Sequence, residues 1–424
     1  MAYPKQKSLG LHLRGVGIKQ LLWFPLFTYL VAFPFGQFTR LPLNFLPGEV
    51  SLYLTDLLVG VIGVVGVVWG KNKPTPLDKS FLLFITAALF SLMLASAALT
   101  PVQVAISSLY LIRLLFYGLF FSTIHSLIKN GSEKKLVLNS LLVVGIAVSA
   151  IGFVQYFLYP DLRALLMLGW DEHINRIVGT FLDPNFTSII LVFTLILMGS
   201  HLRGEIGRSM STPRRWVMGG CLGLLVFTAL LLTYSRSGYL AFAASAAAYS
   251  IILPSSLRAG KNLRIMILAA VLLAVGIFIL PKQTSEGTKL ERITSITLRV
   301  ENLKGGLNLF QQSPVFGVGF NTLRYFRHER GRLAEYGPSH SASGLDNSFL
   351  FVLVTTGVVG FITFLKLLRE IIRESMGSKG GRVIIIPTIV AVLVHSMFVN
   401  SLFYPWVLGW LAVLLAVTLR TGKD

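Results

Sequence analysis

The sequence predicts an all-α integral membrane protein of about twelve transmembrane helices, with a long extracytoplasmic loop containing an amphipathic helix between spans 9 and 10. Three observations predict it. Of 424 residues, 54% are hydrophobic and only 13% charged, against roughly 25% charged in soluble domains. Apolar stretches of about 20 residues, enough to cross a ~30 Å hydrocarbon layer, recur along the whole chain. The series is broken at length only by a polar interval, Pro281 to Asn347.

The stretches fall near 20–36, 50–69, 80–99, 102–124, 136–158, 185–201, 216–234, 238–254, 264–280, 347–368, 383–401 and 404–420. The leading segment MAYPKQKSLGLHLRGVGIKQ is basic and has no convincing small-residue cleavage site, so it reads as a retained cytoplasmic lead into the first span. An even number of crossings puts both termini on one side. Lys and Arg choose that side: Lys5, Lys7, Arg14 and Lys19, then Lys129, Lys134 and Lys135, then Arg203, Arg208, Arg214 and Arg215 fall in alternate connections. The intervening short segments keep only Arg40, Arg163, Arg176 and Arg236. By the positive-inside rule the termini are cytoplasmic and the long interval is outside. The same rule accounts for the net charge of +20 without nucleic acid. Cys221 is the single cysteine and lies in an apolar span, so no intramolecular disulfide can form. The simplest organisation is one polytopic domain over 1–424 with 281–346 as an inserted cap.

Within the interval, Ile293, Ile296, Val300, Leu303, Leu307 and Phe310 recur at steps of three and four, the stripe of an amphipathic helix. Such a helix would lie on the membrane surface, apolar side down, with Arg299 at its rim. Pro314, Gly317 and Gly319 then end it. A solvated connector with a few basic residues is the plainer reading of the same segment.

Sparse outer charges are the candidates for chemistry. Arg236 sits in LLLTYSRSGYLAF, where the seventh span turns tightly into the eighth; an ordinary snorkelling arginine is its bland alternative. Arg113, mid-way along the fourth span, is expensive unless paired, for example with Asp56, or facing a cavity. In the second outer loop, NRIVGTFLDPNFTSII brings Arg176, Asp183 and Asn185 to the start of the sixth span, although Asp-Pro-Asn is also a helix-start signal. In the long loop, GPSHSASGLDNSFLF places His340, Asp346 and Asn347 at the entry to the tenth span, where Asp346 could equally act as an N-cap. Arginine grips phosphate bidentately and stays charged, so it can stabilise a departing pyrophosphate without a metal. A carboxylate or imidazole can then take a proton from an attacking hydroxyl. No Asp-x-Asp pair occurs in an outer loop, and adjacent Asp171 and Glu172 are too weak a signal for an ion.

Four segments, NRIVGTFLDPNFTSII, LLLTYSRSGYLAF, LRVENLKGGLNLFQQSPVFGVGFNTL and DNSFLFVLVTTGVVGF, in this order over roughly 150–370, resemble the O-antigen ligase and polymerase family of bacterial membrane glycosyltransferases. The resemblance implies a GT-C-like helical transferase in the cytoplasmic membrane. It implies an undecaprenyl-pyrophosphate-linked glycan donor, a sugar hydroxyl on a glycan or glycolipid acceptor, a site on the outer face, and no cofactor. By position, Arg236 and Arg299 match the two arginines that hold the pyrophosphate. The family's ligases place a histidine just before the asparagine that opens the tenth span; here Asp346 precedes Asn347. Either Asp346 takes the role of base or His340 reaches in from six residues upstream. That departure leans the reading from ligase toward polymerase. The rival from another class is a transporter or flippase of lipid-linked glycan, which calls for two related halves that the sequence does not show.

Overall fold

The structure is a computed structural model that describes residues 13–42, 50–69, 74–168, 170–202, 213–252, 258–280, 293–328, 344–378 and 381–419. Its helices are α1 (Leu13–Ala32), α2 (Leu54–Trp69), α3 (Pro76–Ala95), α4 (Pro101–Leu127), α5 (Gly131–Leu158), α6 (Pro184–Leu202) and α7 (Pro213–Leu232). They continue with α8 (Arg236–Ile252), α9 (Arg258–Ile279), α10 (Ile293–Phe310), α11 (Leu323–His328), α12 (Ser348–Gly377), α13 (Arg382–His395) and α14 (Pro405–Thr418). Each apolar stretch of the sequence falls on one helix. Among the described residues six helical segments are long and apolar enough to cross a membrane, Lys19–Thr39, Pro76–Ala95, Pro101–Leu127, Gly131–Leu158, Pro184–Leu202 and Ser348–Gly377, and most of the others are shorter apolar helices. The protein is an integral membrane protein.

The helix starts are written locally. Thr75 and Asp78 form a reciprocal capping box, as do Thr100 and Gln103, each followed by proline at the first turn where no amide donor is missed. Asn130 caps α5 and Asn347 caps α12 through their side-chain oxygens. Close helix approach needs small residues, because lipid offers no hydrophobic drive between helices. A Cβ added at Gly66 would sit 1.9 Å from the Thr123 hydroxyl, and one at Gly145 would sit 1.9 Å from that of Thr194, so α2 meets α4 and α5 meets α6 nearly backbone to side chain.

The interior has two centres. The larger gathers α1, α5, α6 and α14 around Phe33, Phe181, Phe193, Trp406 and Trp410, all under 2% exposed. The smaller joins α3, α4 and α12 to Leu309, Val318, Phe320 and Leu345, so that these described parts of the polar interval are packed into the bundle rather than lying over it.

Three features depart from the sequence reading. Two short strands, β1 (Arg40–Pro42) and β2 (Ser51–Tyr53), pair antiparallel where an all-α fold was expected, with Arg40 opposite Tyr53. α10 is turned by about one residue, roughly 100°, from its apolar stripe: Gly306 and Leu309 are buried, Arg299 and Asn302 half-buried, while Val300 and Leu307 are exposed. Arg299 thus faces protein rather than the rim. And α12 is broken at Gly357 (φ 64, ψ −170). The amides of Val358 and Val359 donate to the carbonyls of Pro314 and Val315, at 2.9 and 3.2 Å, and the carbonyls of Val354 and Thr355 accept from Val318 and Gly319, at 3.0 and 3.1 Å. Helix bonds given up at the break are replaced by bonds to the segment after α10, as buried backbone groups require. The approach is so close that a Cβ at Gly357 would lie 2.2 Å from the Val315 carbonyl oxygen.

Candidate functional site

One end of the bundle, predicted to face out of the cytoplasm, collects three turns from distant parts of the chain. The first joins α7 to α8 and carries Arg236 as the opening residue of α8. Tyr234 there has φ 50, a left-handed conformation that costs a non-glycine residue about 1–2 kcal/mol. Arg176 holds the turn in that state: its Nε donates to the Thr233 carbonyl at 2.9 Å and its Nη2 to that of Tyr234 at 3.4 Å. These are carbonyls at a helix C-terminus, where a cation is also favoured by the dipole. At 4% exposure Arg176 is a support of the arginine turn.

The second turn opens α6. Asp183 accepts from the amides of Asn185 and Phe186 at 2.6 and 3.2 Å, the helix-start geometry that Asp-Pro-Asn suggested. It also follows a left-handed residue, Leu182 (φ 56). Burial pushes the Asp183 carboxyl up to about 6, against the pull of the Asn185 and Phe186 amides and of Arg176, and with a further push from Asp171. Asn185 Oδ1 accepts from the Ser235 hydroxyl at 2.9 Å, tying the two turns together.

The third turn enters α12. Asn347, not Asp346, is its N-cap, with the Leu350 amide on Oδ1 at 2.9 Å and Nδ2 on the Met397 carbonyl at 3.0 Å. The half-buried Asp346 side chain is thereby left out of capping. α10 is clasped to this turn by Asn302, whose Nδ2 donates to the Gly344 carbonyl at 3.0 Å and whose Oδ1 accepts from the Asp346 amide at 3.3 Å. One helical turn earlier on the same face stands Arg299, half-buried like Arg236. The two guanidinium groups are near enough for the charge of Arg299 to oppose that of Arg236. His340 lies outside the described residues.

His395, at the end of α13, links all of this and was missed from sequence. It is fully buried; Nε2 is 3.1 Å from the Ser237 hydroxyl and Nδ1 is 2.6 Å from that of Ser401. Ser237 in turn is 3.2 Å from Ser235, so a line of polar groups runs Asn185, Ser235, Ser237, His395, Ser401. The residue after it, Ser396, accepts the Ser348 amide at 2.9 Å. The signal available was a histidine inside an otherwise apolar span, and the two serines flanking Arg236.

Arg113 belongs elsewhere. Its Nη2 is 3.0 Å from Asp56 and donates to the Ser51 carbonyl at 2.7 Å, and Asp56 also accepts from the Tyr117 hydroxyl at 3.2 Å. The pairing that the cost of a mid-span charge demands is present. Among the described residues no group of three or more His, Cys, Asp or Glu side chains is placed to hold a metal ion.

Residues 221–365 match the family model described as O-antigen ligase. The match takes in Arg236, Arg299, Asp346 and Asn347, and leaves Arg176, Asp183, Asn185 and His395 outside it. No curated protein matches the chain.

Proposed function

We propose, from the match of residues 221–365 to the O-antigen ligase family model, that the chain is a transferase of that family, which transfers or polymerises glycan from an undecaprenyl-pyrophosphate-linked donor onto a sugar hydroxyl, at the outer face of the cytoplasmic membrane. All twelve apolar helices then cross, both termini are cytoplasmic, and 281–346 forms the outer cap. The observation that carries the reading is the meeting of two arginine-bearing elements 63 positions apart. Arg236 directly precedes Ser237, which lies 3.1 Å from His395 of α13, and Arg299 stands one turn before Asn302, which clasps the entry of α12, so that two like charges lie near one another. Such a pair is stabilised by an anion with oxygens for both, and a pyrophosphate is one.

In the proposed step the acceptor oxygen attacks the anomeric carbon of the donor. The bond from that carbon to the phosphate oxygen breaks, and undecaprenyl pyrophosphate leaves with the electron pair. Arg236 and Arg299 meet the charge as it develops, which is where fixed donors lower a barrier most, and the step needs no metal. The acceptor proton passes to Asp346 or His340. Asn302 and Asn347 support Asp346 by holding its backbone between α10 and the 395–402 connection. A carboxylate in place of the family's histidine favours a polymerase-type acceptor. The experiment is release of free polyprenyl pyrophosphate from a lipid extract of the source cells by purified protein, with Arg299→Ala as control. Release that depends on Arg299 supports transfer; equal release by both proteins, or none by the wild type, overturns it.

A further inference from the structure

We propose that a track of aromatic and guanidinium side chains, running from the arginine turns to α11, binds the saccharide part of a substrate. The proposal rests on the transfer reading only for its choice of ligand, an oligosaccharide.

The track begins beside Asn185. Phe186 and Tyr404 stack with ring centroids 3.5 Å apart and planes within 2°. Tyr404 lies 5.0 Å from Trp406, and Trp406 lies 4.6 Å from Tyr53 of β2. The Arg113 guanidinium then stands 5.7 Å from the Tyr53 ring and 5.3 Å from that of Tyr110. The Arg324 guanidinium of α11 stands 5.8 Å from the same Tyr110 ring, with Nη2 3.5 Å from its phenol oxygen. Trp406 is buried beneath, while Phe186, Tyr404, Tyr53, Arg113, Tyr110 and Arg324 are half-buried, each with part of its surface accessible.

Depth makes this arrangement informative. Tyr110 and Arg113 lie roughly 14 and 18 Å along α4 from its first residue at about 1.5 Å per residue. Phenols and a guanidinium facing hydrocarbon at that depth carry a penalty of several kcal/mol. Accessible surface on them is therefore surface turned to water or to a polar ligand. The Arg113–Asp56 pair would by itself suffice to join α4 to α2; it requires neither Tyr110 nor Arg324, the latter arriving from the long loop. Saccharides present apolar C–H faces that lie on aromatic rings, and hydroxyls that accept from guanidinium edges, so alternating rings and guanidinium groups suit them. Asp56 and Ser51 fix Arg113 in advance, so little order is lost on binding.

The test uses oligosaccharide freed from source-cell lipid-linked glycan by mild acid, so that the probe has no pyrophosphate, and measures its binding to the full-length protein in detergent. The wild type should bind. Tyr110→Ala and Arg324→Ala should each weaken binding by about tenfold or more, at unchanged melting temperature; Tyr110→Phe should bind as the wild type does. Arg299→Ala should leave this binding intact. Wild-type affinity in both alanine variants, or no binding by the wild type, overturns the track. Saccharide binding without pyrophosphate release would sink the transfer reading and leave the track standing.

Discussion

Replacing His395 by alanine should loosen two of the site's turns together. The imidazole is fully buried and lies within hydrogen-bond distance of Ser237 and Ser401. Removing it leaves two buried hydroxyls to find new partners, at about 1–3 kcal/mol each, and opens a void where the ring packed. The expected loss of stability is on the order of 2–5 kcal/mol, near the upper range for single substitutions. Turnover should fall further than folding does, because Ser237 directly follows Arg236, and a misplacement of about 1 Å costs roughly 100-fold. Two conservative variants separate the contacts. The longer amide of His395→Gln can still reach Ser237 in the manner of Nε2, whereas His395→Asn is short enough to keep only the Ser401 side. His395→Gln should recover most pyrophosphate release, and His395→Asn should not. Amide exchange supplies a readout free of chemistry: in His395→Ala, Gly238 and Leu350 should exchange faster together. Unchanged exchange at both amides, or equal turnover in the glutamine and asparagine variants, would refute the reasoning.

Other substitutions test other links. Arg236→Lys and Arg299→Lys keep the charge and lose the bidentate fork, so each should retain measurable but much reduced release, while the alanine variants abolish it; full activity in the lysine variants would remove the case for a fork. Of Asp346→Asn and His340→Ala, one should eliminate turnover with folding intact, as judged by melting temperature; if neither does, the base lies elsewhere. The Asp183 carboxyl titrates near 6 in the folded chain against an ordinary 3.8, so the folded state holds its proton more tightly. Stability should then be highest below about pH 4 as far as this group is concerned, and fall as pH rises through about 6, by at most about 3 kcal/mol; a melting curve in Asp183→Asn should lack that slope. Arg113→Ala should cost about 3–5 kcal/mol by stranding Asp56, and Asp56→Asn combined with it should give part of that back.

Most of the helical plan was legible because each helix must carry its own apolar length, which sequence displays directly. Arg236 could be singled out as a candidate because the short connections of its set hold few cations. Arg299 could not be picked out that way, since Lys289, Arg292 and Lys304 lie close to it in sequence, and its place on the predicted helix and the family resemblance marked it instead. What was not legible depends on tertiary contact. His395 reads as an isolated polar residue in an apolar span until Ser237, 158 positions away, is seen beside it. The rotation of α10 follows from Gly306, which lets the helix seat against Leu345 and Leu350, a closeness that no stripe of apolar residues encodes. The cap of α12 was offered at Asp346 and falls on Asn347, one residue of register away, within the ordinary latitude of a helix boundary. The strands β1 and β2 are three residues each, too short to leave a period-two pattern.

The break in α12 has a consequence for how the chain is assembled in the cell. To an insertion machine that reads apolar length, Ser348–Gly377 is a continuous helix, and nothing within it supplies partners for a gap at Gly357. Those partners, Pro314, Val315, Val318 and Gly319, are synthesised earlier and belong to the stretch between α10 and α11. The kink is therefore made after insertion, when an already delivered segment docks against the new helix. The docking of the segment after α10 onto α12 is thus one of the last contacts to be completed, and a chain stalled before it would hold its apolar helices with the gap at Gly357 still unpartnered.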